Sequence, residues 1–436
     1  METNKLRLLF FYVFYLAIFP IFEAKIIHFD QHWQRRSHEA TKAAHKAYQL
    51  NPHGVAASFN NDVHGMFSGF NGSRRGLTRK HPNKGPCKAT NPIDSCWRCD
   101  PNWEKNRKKL ADCALGFGRG TTGGKDGRIY VVTDPSDNEL VNPKPGTLRH
   151  AAIQKEPLWI IFKHSMTIKL KAELLLTDHK TIDARGANVH ICGGAQITLQ
   201  YVKNIIIHGL HVHDNKPVSG GLMRDSMSHF GQRSTSDGDG ISLFGASHIW
   251  IDHISMWNCF DGLIDVVAGS TAVTISNCHM THQDHVMLFG ASDGFSGDQI
   301  MQITVAFNHF GKGLIQRMPR CRWGFFHIVN NDYTHWLMYA IGGSTHPTIL
   351  SQGNRFIAPV NPNAKEVTKR DYSPESVWKN WNWISENDLM MNGAFFKQSG
   401  KKVAMPNDDI RPKHGSFAAD LTKYAGSIKC VPNKPC

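Results

Sequence analysis

The chain is short of acid. Among 436 residues, 36 are Asp or Glu and 50 are Lys or Arg, a formal charge of +14. Loss of residues 1–24 leaves that excess unchanged, because Glu2, Lys5, Arg7 and Glu23 cancel. Such a surface draws polyanions: nucleic acid, anionic membrane or acidic polysaccharide. Charge alone does not choose among them. A second long apolar run is also missing. Lys5 and Arg7 precede one from Leu8 to Phe22, and nothing of that length follows. The run is short for a span of about 20 residues. It has the form of a secretory signal peptide over residues 1–24, with Ala24 as the cleavage candidate. No transmembrane segment is expected afterwards. A second CxxC pair is absent too. Cys96-Trp-Arg-Cys99 stands alone, which argues against zinc or redox chemistry and for disulfides. The EF-hand calcium loop is likewise absent.

Ten cysteines and a signal segment fit an oxidising compartment. Secretion favours an extracellular polyanion over nucleic acid. Cys87, Cys96, Cys99 and Cys113 cluster early, and Cys430 and Cys436 close the chain; their pairing is not legible. Cys192, Cys259, Cys278 and Cys321 fall in strand-like stretches and are expected as buried thiols. Asn71-Gly-Ser73 is an N-glycosylation acceptor.

Residues 25–90 divide in two. Trp33, Ala40, Ala43, Ala44, Ala47 and Leu50 mark one face of an amphipathic helix. From residue 51 the chain reads as a basic flexible linker, with Arg74, Arg75, Arg79, Lys80 and Lys84 free of nearby acid. From about residue 91 to 360 the composition changes to short β-branched runs with little helix between them.

Those runs repeat. Ile205-Ile-Ile-His-Gly209, Ile249-Trp-Ile-Asp-His253, Val273-Thr-Ile-Ser-Asn277, Ile303-Thr-Val-Ala-Phe-Asn308, His327-Ile-Val-Asn-Asn331 and Ile349-Leu-Ser-Gln-Gly-Asn354 end at steps of 44, 24, 31, 23 and 23. The first step reads as two turns of 22. The step of 31 carries an insertion around Ser292–Asp298. A second series accompanies it through Asp239-Gly-Ile, Asp261-Gly-Leu, His285-Val-Met-Leu and Gly313-Leu-Ile. Two series within one period of about 23 describe a parallel β-helix, an all-β fold; a sandwich of evenly spaced strands is the alternative. Asn277, Asn308, Asn331 and Asn354 suit an asparagine ladder or a shared turn. Residues 361–436 lose the repeat. Trp378, Trp381 and Trp383 there read as packing for a capping tail rather than a sugar platform.

Coils of a β-helix stack about 4.8 Å apart. Equivalent positions then form columns. Asp237 and Asp239 fall on one level, Asp261 and Asp265 on the next, His285 one turn on, and Arg317 beyond that, roughly 10 Å from the aspartates. Four carboxylates that close raise one another's pKa unless a hard cation holds them. Calcium accepts several carboxylates in irregular geometry. Arg320 and Arg322 flank Cys321, and guanidinium forks bind carboxylates. Acid, metal and guanidinium in one column match an acidic sugar polymer bridged by Ca²⁺. Solvated turn aspartates, with arginines that only balance them, are the plain alternative.

Trp250-Ile-Asp-His253, Asp237-Gly-Asp239, Asp261-Gly-Leu-Ile-Asp265, Gln316-Arg-Met-Pro-Arg320, Cys96-Trp-Arg-Cys-Asp-Pro-Asn-Trp103, Gly146-Thr-Leu-Arg-His150 and Tyr339-Ala-Ile-Gly-Gly343 together resemble plant pectate lyases of polysaccharide lyase family 1. The likeness covers roughly residues 90–360; the preceding segment is similar to the N-terminal extension of pollen and anther members. It implies a right-handed parallel β-helix, with helical and irregular caps, and Ca²⁺-dependent β-elimination of de-esterified pectin. Carried over, Asp237, Asp239, Asp261 and Asp265 are the calcium ligands and Arg317 the catalytic base. Arg322 and Arg320 bind substrate, as does His285, where family members often have lysine. Trp250-Ile-Asp-His253 reads as structural. The partner implied is pectate, met by a monomer in the plant cell wall. A guanidinium yields its proton reluctantly, so an alkaline optimum is expected. A polygalacturonase-type hydrolase and a non-cutting pectate-binding protein are the rivals.

Overall fold

The computed structural model describes residues 30–68, 87–370, 373–401 and 411–436. The signal segment and Asn71 lie outside them. Each coil crosses three parallel sheets in turn, one of ten strands and two of nine. The first sheet carries the series that ends at Gly209, His253 and Asn277. Ile205, Ile249, Val273, Ile303, Phe326 and Ile349 pair level by level along it, and all are fully buried. Fixing one apolar residue per lap therefore fixes a column of the core. The second sheet carries the aspartate series. A third sheet went unread in the sequence. Its strands, such as His211–His213, Ser255–Trp257 and His279–Thr281, are too short to show alternation. Its inward column includes Phe310, Tyr333 and Phe356, stacked at 4.5 and 4.6 Å.

Two details of the repeat differ from the sequence reading. The step of 44 is one coil, not two. Ile205 pairs directly with Ile249, and Ile197 with Ile241. The surplus residues form an inserted antiparallel hairpin, Gly221–Ser226 with His229–Arg233. An insertion of about one lap imitates a missing repeat. The asparagine ladder is real but shorter. Asn308 donates to Asn331 at 3.0 Å, and Asn331 to Asn354 at 3.0 Å. Asn277 sits one position off, because Ser276 pairs with Ala306. It turns outward with φ of 51° and donates to Asp252.

The segment before the coil is more ordered than a linker. Gln31–Ala47 is helical as expected, with Asp30 as N-cap. Pro52–Ser68 is a second helix, although residues from 51 on read as flexible. Ala56, Phe59 and Val63 recur at helical spacing and are fully buried. Phe59 stacks on Phe307 at 5.4 Å. Gly54, Gly65 and the asparagines hid this face. Pro52 occupies the first helical position, where it opens a helix rather than breaking one. Together with Ile93, Trp97 and Trp103, this helix covers Ile206 and Trp250 on the outer face of the first sheet, a second core outside the coil.

The cysteines bridge as Cys87–Cys99, Cys96–Cys113 and Cys430–Cys436. The other four are free thiols, of which Cys259, Cys278 and Cys321 are buried and Cys192 is half-buried. The coil also runs past residue 360. Trp383–Glu386 extends the first sheet and Leu389–Met391 the third. Their wider spacing concealed them. Trp378, Trp381 and Trp383 are buried, and Arg370 lies over Trp378 and Trp383 at 4.6 and 4.2 Å. They pack the end of the solenoid. None of the described helices is long and apolar enough to cross a membrane.

Candidate active site

The second sheet brings the predicted groups to one outer face, in a register one residue from that expected. Ile241 pairs with Ile264, a step of 23. Asp239 therefore stands against Gly262 rather than Asp261. Its Oδ1 accepts from the Gly262 amide at 2.8 Å, and Oδ2 accepts from Ser242. The Gly238 and Asp239 amides both donate to Gln196 Oε1, at 2.9 and 3.2 Å, which aims the loop inward. Gly238 has φ of 89°, and a Cβ there meets Pro217 at 2.8 Å. Asp237, two residues earlier, is exposed.

Asp265 lies one coil on, paired with Ser242. Its Oδ1 is buried without a hydrogen-bond partner among the described residues. Gly262 separates the two carboxylates. A Cβ on Gly262 falls 2.3 Å from Asp265 Oδ1 and 3.3 Å from Asp239 Oδ1, so only glycine leaves both oxygens in place. Burial, then repulsion from neighbouring aspartates, raises both acids. Asp239 is pushed to about 6, and Asp265 well above its ordinary range. Burial, Glu173 and Asp261 raise Asp237 as well. Asp261 goes the other way, held low first by its hydrogen bond to His285. That contact, Nδ1 to Oδ1, is 3.2 Å.

The four aspartates are not gathered equally. Among the described residues, no three of them bring carboxylate oxygens all within 4.8 Å of one another. Asp239 and Asp265 converge; Asp261 leans on His285, and Asp237 stands outside. The donor set is all oxygen, one member is orphaned and buried, and a glycine keeps the space open. These features fit a hard cation such as Ca²⁺.

His285 pairs with Gly262 on one side and Gln316 on the other. Arg317 follows at a left-handed position, φ 61°, between the strands Leu314–Gln316 and Arg320–Arg322. Its carbonyl accepts from the Met287 amide at 2.7 Å. Its Nε is buried with no hydrogen-bond partner among the described residues, and its charge lowers both Asp261 and Asp265. Arg320 and Arg322 point outward around buried Cys321. Arg320 donates to Ser344 at 3.4 Å. Arg322 donates to Asp293 at 2.7 Å and to the Gly290 carbonyl at 2.6 Å.

Known proteins share the sequence and the fold. A family model described as pectate lyase matches residues 169–427, and one described as pectate lyase, N terminus, matches residues 25–77. The probable pectate lyase P59 of Solanum lycopersicum is 57% identical over 446 residues, covering 99% of both chains. The chain belongs to the pectate lyase family. A pectate lyase of Lilium longiflorum is also 57% identical, over 98% of this chain and 99% of that one. The crystal structure of Jun a 1, the major allergen from cedar pollen, is 48% identical and covers 78% of this chain and 99% of its own, with a TM-score of 0.75. A thermostable pectate lyase, 20% identical with a TM-score of 0.53, shares the fold.

Within this pectate lyase several site residues escaped the sequence reading. Asp293 holds Arg322 and accepts from Ser344 at 2.6 Å. It belongs to the Ser292–Asp298 insertion, which was legible as an interruption but not as a ligand. Asp284 accepts from Gln316 at 3.0 Å. Gln196 and Gly262 shape the aspartate pair. Only the repeated Asp-Gly dipeptide hinted at the glycine. Trp250-Ile-Asp-His253 lies on the far sheet, fully buried.

Proposed function

We propose that the chain is a secreted, wall-acting enzyme that cleaves de-esterified pectin by Ca²⁺-dependent anti β-elimination. Asp239 and Asp265 would hold the calcium, with Asp261 and Asp237 as further candidate ligands. When bound there, calcium would supply positive charge that offsets these acids and makes C5 of a bound galacturonate more acidic. Arg320, Arg322 and His285 hold the carboxylates of neighbouring sugars. Arg317 takes the C5 proton. The C5–H electron pair becomes the C4–C5 double bond, the C4–O bond breaks, and the departing oxygen takes a proton from solvent, to which Arg317 then gives up the one it removed. No water is consumed. The observation that carries this reading is the orphaned, buried Oδ1 of Asp265 facing Asp239 across Gly262, with Arg317 close enough to act on it.

Ultraviolet absorbance of the unsaturated product tests the reaction. Polygalacturonate with Ca²⁺ is expected to give rising absorbance that EDTA abolishes. Arg317→Ala is expected to lower turnover by about 10²–10⁴-fold with pectate binding retained. Reducing ends without absorbance would mean a hydrolase. Binding without turnover at saturating Ca²⁺ would mean a pectate-binding protein. Secretion, N-glycosylation at Asn71 and a monomeric state belong to the same proposal, read by N-terminal sequencing, glycosidase treatment and light scattering.

A further inference from the structure

The hairpin inserted before Asp237 meets the N-terminal helix at a cluster that contains none of the residues proposed to hold calcium or pectate. His32 stands in the first turn of Gln31–Ala47, whose N-cap is Asp30. Asp225 and His229 face it from the two strands of the hairpin. One ligand atom from each of His32, Asp225 and His229 lies within 4.8 Å of the others. Asp225 is 3% exposed. Its Oδ2 accepts from His229 Nδ1 at 2.8 Å, while its Oδ1 is buried with no hydrogen-bond partner among the described residues. That oxygen faces His32 Nε2 at 3.8 Å, itself buried and without a partner among the described residues. On its other side, His229 Nε2 lies 3.2 Å from Asp30 Oδ2. The His32 and His229 rings stack at 4.0 Å.

Two buried polar atoms that face each other beyond hydrogen-bond reach call for something between them. A separation of 3.8 Å is close to the roughly 3.3 Å between two ligands of a tetrahedral ion bound at about 2.0–2.1 Å. Two imidazoles and a carboxylate are the donors that a borderline ion of the zinc class takes, whereas calcium prefers oxygen alone. We propose that His32, His229 and Asp225 form a zinc-class metal site, with Asp30 beside it, that clasps the N-terminal helix to the inserted hairpin. The rings are 2° from parallel, and a nitrogen lone pair lies in its ring plane. Ligation therefore turns one ring out of the stack. Without metal, His229 bridges the two carboxylates, Asp225 through Nδ1 at 2.8 Å and Asp30 through Nε2 at 3.2 Å.

Calorimetric titration of the chelator-stripped full chain with Zn²⁺ tests the site. One Zn²⁺ per chain is expected, undisturbed by excess Ca²⁺ and unchanged by Asp265→Asn. His32→Gln and His229→Gln are each expected to weaken it by more than the roughly 10–100-fold that loss of an outer-shell partner costs. Zinc is also expected to protect the 31–47 helix from limited proteolysis in the unaltered chain but not in His32→Gln. His32 lies on a helix at the edge of the fold, so its variant keeps the test open where a hairpin variant fails to fold. Absence of saturable Zn²⁺ binding, or equal affinity in the unaltered chain and His32→Gln, would overturn the site and leave only the contacts of His229 with the two carboxylates.

Discussion

One coil carries two aspartates of opposite character. Asp252, on the first sheet, accepts from Ser276 at 2.6 Å and Asn277 at 2.9 Å through one oxygen, and its other oxygen meets His208 at 3.0 Å. His253, next to it, is held by Asp94 at 2.7 Å. Asp239 begins the same coil on the second sheet. Its neighbours there are Asp265, Asp261 and Asp237, and Asp265 keeps an oxygen without a partner. Burial opposes ionisation at both places. At Asp252 the histidines overcome it, and the acid is strengthened. At Asp239 the nearby acids add to it, and the value climbs to about 6. A buried carboxylate surrounded by donors finishes a fold. A buried carboxylate surrounded by its own kind awaits a cation.

Breaking the satisfied network is expected to have the largest effect. Asp94→Asn leaves His253 buried without its carboxylate and is expected to cost about 3–5 kcal/mol in chemical denaturation. Calcium affinity should not change; a loss of calcium binding would merge the two regions. On the other face, Asp265→Asn is expected to reduce calcium-stimulated cleavage by about 100-fold, roughly 2.7 kcal/mol. Its melting temperature in EDTA should hold or rise, because a repulsion has been removed. A fall there would mark Asp265 as structural.

Acidity sharpens the contrast further. The folded chain holds a proton on Asp239 up to about pH 6, above the ordinary 3.8 of the unfolded chain. This group therefore favours the folded state at low pH, and the benefit fades as pH rises through about 6. Calcium-free protein is expected to lose about 1.4 kcal/mol between pH 5 and 8 from this source, and added Ca²⁺ to restore it. Denaturation curves at the two pH values, with and without EDTA, read the sign; Asp239→Asn should flatten them. The smallest effect is expected from His285→Lys. Lysine keeps its charge through the alkaline range where imidazole is neutral. KM for polygalacturonate should fall a few-fold, and no change would place His285 outside the substrate path.

Much of this was legible in residue order. A period near 23 named the coil because every lap must bury its own apolar residue. The motifs around Asp237, Asp261 and Arg317 named the face. The helix at 52–68 was lost among glycines and asparagines, since its buried stripe of Ala56, Phe59 and Val63 is narrow. The hairpin vanished because it is about as long as a lap.

Residue order by itself determined that the chain coils, which side of each lap is apolar, and that acids precede arginines along one column. These are local matters, set by alternation and spacing. Only the tertiary structure decided which residues share a level. Asp239 faces Gly262 instead of Asp261 because register is a property of two strands together, and a shift of one residue exchanges partners. It also decided that Asp252 is satisfied and Asp265 is not, because hydrogen-bond partners come from neighbouring coils far away in sequence.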